Sequence, residues 1–92
     1  MGFWAEVAEN TNDPLWDAFR SGSKTAFEEI FRRYYPVLFN YSRRLAKSEA
    51  EAKDCIQSLF LQIWERREFL GQTTSPRHYL LASLRRVISK KV

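Results

Sequence analysis

Apolar positions along this chain recur at steps of three and four. Between Ala50 and Arg67 the sequence reads AEAKDCIQSLFLQIWERR. Ala52, Cys55, Ile56, Leu59, Phe60, Ile63 and Trp64 form one stripe on a 3.6-residue period there, wide enough to bury against other helices. The opposite face carries Lys53, Asp54, Gln57, Ser58, Leu61 and Gln62. Asp54, Gln57 and Leu61 stand in one outward row, as on a face built to be touched.

The same periodicity predicts three further helices. Asp13-Pro14 reads as an N-cap with Pro at the first helical position, opening a short helix with Leu15, Trp16 and Phe19 inward and Gly22 as its stop. A second helix is expected to start near Ser23 to Thr25, with Thr25 and Glu28 at capping-box spacing, and to run to about Ala46. Phe27, Ile30, Phe31, Tyr34, Leu38, Tyr41 and Leu45 are its inward side. The stripe keeps register across Pro36, which predicts a bend rather than a break. Ser48 and Glu51 form another capping box, opening the Ala50–Arg67 helix, which is expected to reach about Glu68. Phe69 to Ser75 (FLGQTTS) is a loop, and Ser75-Pro76 opens a last helix with Leu80, Leu81, Leu84, Val87 and Ile88 inward. Residues 1–12 read as a flexible leader in which Phe3, Trp4 and Val7 could dock elsewhere. The fold class is therefore all-α, a small bundle of about four helices over residues 13–92.

Composition adds size and compartment. The 92 residues support one core, and 45% hydrophobic with 15% aromatic residues is ample for it. The single cysteine cannot form an internal disulfide, and Cys55 on the apolar stripe reads as a small buried hydrophobe in a reducing compartment. No membrane span or signal peptide is visible. The expected location is cytoplasmic. No paired carboxylates with a cleft, no supported nucleophile–base pair, no Gly-rich phosphate loop and no metal-ligand spacing is present. The reading is a non-enzyme without cofactor or metal.

The formal charge of +4 is unevenly placed. Residues 1–68 hold ten basic and eleven acidic side chains, whereas residues 69–92 hold Arg77, Arg85, Arg86, Lys90 and Lys91 and no acid. A segregated positive end suggests an anionic partner such as nucleic acid. An ordinary solvated helix face is the plainer alternative for such a run, and the absence of acids over this stretch favours phosphate. Lipid is a weaker reading, since the last helix is needed to bury the third.

Four pieces in order now resemble one family. FEEIFRRYYPVLFNYSRRL is similar to its first long helix. Lys47 to Ala52 matches its short acidic connection. Asp54, Gln57, Phe60 and Trp64 match D-x-x-Q-x-x-F-x-x-x-W, and Ser75, Tyr79 and Leu80 match the start of its last helix. The chain resembles region 2 of bacterial RNA polymerase sigma factors of the sigma-70 family, extracytoplasmic-function type. WERRE and YLLASLRR look like its iron-regulator-type branch.

The resemblance implies a role in transcription initiation. Asp54, Gln57, Ser58 and Leu61 would meet the clamp helices of the β′ subunit of core RNA polymerase. Gln72, Thr73, Thr74, Ser75, Arg77 and Tyr79 would recognise and open the promoter −10 element, taking its non-template strand single-stranded, with Phe69 and Tyr79 as a stacking surface. Arg85, Arg86, Lys90 and Lys91 would follow the phosphates. An anti-sigma factor, often membrane-anchored in this family, is the further partner implied. Two positions depart from the pattern: Ser58 stands where many relatives carry an acid, and Arg86 where many carry Asn. The helix-turn-helix that reads the −35 element, region 4, is expected to be absent, since nothing follows Val92. The alternative is a sigma-like protein–protein interaction module without DNA binding. In that reading Asp54 and Gln57 are plain solvent-facing residues and the basic tail is incidental.

Overall fold

The computed structural model describes residues 13–91, so the expected leader over residues 1–12 lies outside the described residues. Four helices follow in order: α1 (Pro14–Arg20), α2 (Lys24–Leu45), α3 (Glu49–Glu65) and α4 (Pro76–Lys91). A 3₁₀ turn, Arg67–Phe69, follows α3. Helix α2 is the spine, packing against α1, α3 and α4, and α3 also packs on α4.

Each boundary has a local cause. The Asp13 carboxylate accepts from the Trp16 amide at 3.1 Å and caps α1 ahead of Pro14. Gly22 at φ +104° ends that helix, with its amide donating to the Phe19 carbonyl at 2.9 Å and the Ser23 amide to that of Ala18 at 3.0 Å. This is a Schellman closure, which needs a left-handed residue and so favours glycine. Helix α2 is capped by Ser23, whose hydroxyl accepts from the Ala26 amide at 3.1 Å. The Thr25–Glu28 capping box is therefore not used; Thr25 is exposed inside the first turn. The expected continuity across Pro36 is observed, since α2 runs unbroken through it. Ser48 caps α3 through the Glu51 amide at 3.1 Å, but the Glu51 carboxylate reaches back to the amide of Lys47, at 2.8 Å. Helix α3 stops at Glu65, three residues before the expected end, where the chain tightens into the 3₁₀ turn.

The core follows the stripes. Ala52, Cys55, Ile56, Leu59, Phe60 and Ile63 are all buried on α3, and Leu80, Leu84, Val87 and Ile88 on α4. An aromatic cluster joins α1, α2 and α3. Phe19 stacks on Phe27 at 5.6 Å between ring centroids, Phe27 meets Trp64 at 5.0 Å, and Phe31 stacks on Phe60 at 4.8 Å. Other expected core positions are less covered: Leu15, Phe27, Phe31, Tyr34, Tyr41 and Leu81 are half-buried against the core. Leu45, at the last turn of α2, is exposed. Trp64 is half-buried, with the Arg67 guanidinium 4.1 Å from its ring centroid and donating to the Trp64 carbonyl at 2.7 Å. That cation covers a ring face that the helical period alone assigns to the core.

Candidate functional site

Helix α3 presents its outward row because its other side is committed to the core. Asp54, Gln57 and Leu61 are exposed, Leu61 to 64%, and Ser58 is half-buried beside them. An exposed leucine between polar neighbours adds an apolar contact to a row that otherwise offers a carboxylate, an amide and a hydroxyl.

The loop after the 3₁₀ turn is held from below by α1. The Trp16 indole N–H donates to the Gly71 carbonyl at 2.9 Å, and Arg20 Nε donates to the Leu70 carbonyl at 2.7 Å. Arg20 is itself steadied by Asp17 at 3.1 Å. Trp16 is buried, so the donor that fixes Gly71 cannot move far. Within the loop, the Thr73 hydroxyl accepts from the Ser75 amide at 3.0 Å, and the Ser75 hydroxyl accepts from the His78 amide at 3.2 Å, capping α4. Thr73 and Ser75 thus shape the backbone, while Gln72 and Thr74 are exposed. Phe69 is 84% exposed at the loop's entrance. Tyr79 packs its ring against Trp16, edge to face at 5.4 Å, so of the two aromatics proposed for stacking only Phe69 is largely uncovered.

The basic residues of α4 divide between its two flanks. Arg86 and Lys90 line a groove against α3, of ≈ 200 Å³, whose walls also include Gln62, Arg66, Tyr79 and Ser83. Arg86 is braced there by the Ser83 hydroxyl at 3.2 Å. Arg77 sits on the α2 side, in a hollow shared with Asn40, Tyr41 and Arg44. Arg85 borders a separate hollow with Leu45 and Ile88. Lys91 closes the described helix. The structure therefore gathers Tyr79, Arg86 and Lys90 beside the loop and sets Arg77 and Arg85 on other faces. Arg66 and Gln62 were missed in the sequence. Arg66 belongs to the stretch whose acids and bases nearly cancel, and only the packing of α3 on α4 brings it to Arg86 and Lys90.

Among the described residues no helix is long and apolar enough to cross a membrane, and no three His, Cys, Asp or Glu side chains gather as a metal site. Residues 30–92 match the family model for sigma-70 region 2. The chain is 33% identical over 73 residues to the ECF RNA polymerase sigma factor SigL of Mycobacterium tuberculosis, covering 74% of this chain and 41% of that protein. It is 34% identical over 47 residues to the RNA polymerase sigma factor CarQ of Myxococcus xanthus, covering 51% of this chain and 27% of that protein. The chain thus spans less than half the length of these curated relatives. No solved structure matches it significantly. With the four-helix bundle and the family match over α2 to α4, the chain belongs to the sigma-70 family, as a region 2 domain of the extracytoplasmic-function type.

Proposed function

We propose that this domain binds core RNA polymerase through the outward row of α3 and takes the non-template strand of a promoter −10 element on the loop and the α3–α4 groove. The observation that carries this reading is the separation of two surfaces on one helix. Asp54, Gln57, Ser58 and Leu61 face outward, while Gln62 and Arg66 turn toward α4 and join Arg86 and Lys90 beside the loop. One helix can then hold a protein partner and a nucleic acid at the same time without overlap.

The division of labour follows from the side chains. Arg66, Arg86 and Lys90 attract phosphate whatever the sequence, and each such contact adds to the salt dependence of binding. Gln72 and Thr74 offer an amide and a hydroxyl to the edge of a base that has left the stack. Phe69 offers an uncovered ring for it to lie on. An anti-sigma factor would act most simply by covering either surface.

Equilibrium titration of the 92-residue chain with single-stranded and duplex −10 oligonucleotides at two salt concentrations tests the DNA half. Tighter binding to the single strand, weakened by salt, is the expected result. Retained binding to core polymerase with no affinity for single strands would show the interaction-module alternative to be right.

A further inference from the structure

Two consecutive carbonyls of the loop face α1. Arg20 Nε donates to that of Leu70 at 2.7 Å, and the Trp16 indole N–H donates to that of Gly71 at 2.9 Å. Trp16 and Arg20 stand four residues apart, so both donors leave one side of α1. Among the described residues no peptide bond is cis. In a planar trans peptide the N–H points opposite to the C=O. Turning the Leu70 and Gly71 carbonyls toward α1 therefore turns the Gly71 and Gln72 amides away from it, to the open side of the loop. Among the described residues neither amide has an acceptor. Both residues are exposed, and a Cβ on Gly71 would meet nothing within 4 Å. Leu70 also lines the basic groove with Arg66, Arg86 and Lys90, so the peptide that Arg20 holds lies where loop and groove meet.

We propose that Arg20 is a positioning residue for base selection: it fixes the Leu70–Gly71 peptide, and through it the facing of the loop's donors, without itself contacting DNA. This role rests on the loop being the seat of an extruded base. The guanidinium acts as a fork, with Nε on the Leu70 carbonyl and Nη1 on the Asp17 carboxylate at 3.1 Å. A planar group held at two points has one orientation, whereas an ammonium on a flexible stem does not. The charge of Arg20 is met by Asp17, while Arg66, Arg86 and Lys90 form no ion pair among the described residues. Those three are therefore the phosphate contacts, and Arg20 is not. Trp16 supplies the second pin, but it is buried against Phe19 and Tyr79, so its loss mixes core packing with loop shape. Arg20 is half-buried at the end of α1 and separates the two effects. With both pins in place, two loop peptides are oriented before a ligand arrives, and binding need not order them. The match to the family model begins at residue 30, so this positioning comes from a part of the chain outside that match.

The test titrates the 92-residue chain with single-stranded −10 oligonucleotides in which each position is varied through all bases, at two salt concentrations. The parent is compared with Arg20→Lys, Arg20→Gln and Asp17→Ala. Arg20→Lys keeps the charge and should lower the preference for the best base at one position about fivefold, the scale of one lost hydrogen bond, with unchanged salt dependence. Asp17→Ala removes an acid and the brace on the guanidinium together. It should raise affinity for every oligonucleotide while lowering the same preference, two effects of opposite sign. Should one variant not fold, the others carry the same comparison. Full base preference in both Arg20→Lys and Asp17→Ala would overturn the role. So would an Arg20→Gln variant that loses affinity equally for every sequence with a flatter salt dependence, which would make Arg20 a phosphate contact. A parent without any base preference would overturn the base-taking loop itself, and this role with it.

Discussion

The outward row of α3 rides on a helix whose opposite side is buried from Ala52 to Ile63, whereas the loop from Leu70 to Ser75 buries no side chain completely. The row is positioned by six buried apolar residues of its own helix. The loop is positioned by two hydrogen bonds from α1 and by its own turn and cap. Packing fixes the first surface and directional polar contacts fix the second. Residues of the row can therefore change with little effect on the fold. A change in α1, remote from any ligand, can disturb the loop.

The strongest way to break this contrast is to remove what both regions share. Phe19 is fully buried among Trp16, Phe27 and Trp64. Phe19→Ala is expected to cost about 3–5 kcal/mol, from lost transfer energy plus the cavity left behind, and urea denaturation measures it. A change below about 1 kcal/mol would mean that the aromatic cluster does not hold α1 in place.

Trp64→Ala comes next. A fully buried tryptophan would cost as much as Phe19, but here one ring face lies under the Arg67 guanidinium and the residue is half-buried. About 2 kcal/mol is expected, again by denaturation, because only part of the ring leaves an apolar cavity.

Trp16→Phe sharpens the contrast directly. It keeps a ring against Phe19 and Tyr79 but removes the donor to the Gly71 carbonyl. The expected cost is about 1–2 kcal/mol, for one lost hydrogen bond and a smaller ring. Amide hydrogen exchange should accelerate more across 71–75 than in the middle of α3. Equal acceleration in both places would show that the loop is held by general packing rather than by that bond.

Much of this was open to sequence reading because helices declare themselves by period and caps. All four helices, the Asp13, Ser48 and Ser75 caps and the buried stripes of α3 and α4 follow from spacing and side-chain chemistry alone. Three features did not, and each depends on contacts distant in sequence. Trp16 and Gly71 are 55 residues apart, and no local pattern links an indole to that carbonyl. Arg66 enters the basic groove only because α3 packs on α4. Trp64 has the period of a core residue, yet Arg67, three positions on, covers its outer face. Of the site residues, Asp54, Gln57 and Leu61 lie as one row where the period puts them. The basic residues of α4 were a single group in sequence and divide between its flanks in space.

The central claim is that the outward row of α3 and the basic groove between α3 and α4 hold two partners on separate faces. The most direct test measures four affinities: the Asp54→Ala/Gln57→Ala variant and the Arg86→Ala/Lys90→Ala variant, each against core RNA polymerase and a single-stranded −10 oligonucleotide. All four positions are exposed, so stability should stay within about 0.5 kcal/mol of the parent. The account predicts that the first variant loses polymerase at least tenfold and keeps the oligonucleotide. The second should lose the oligonucleotide for every sequence, with a flatter salt dependence, and keep polymerase. Loss of both ligands by either variant, or of neither by both, would contradict it.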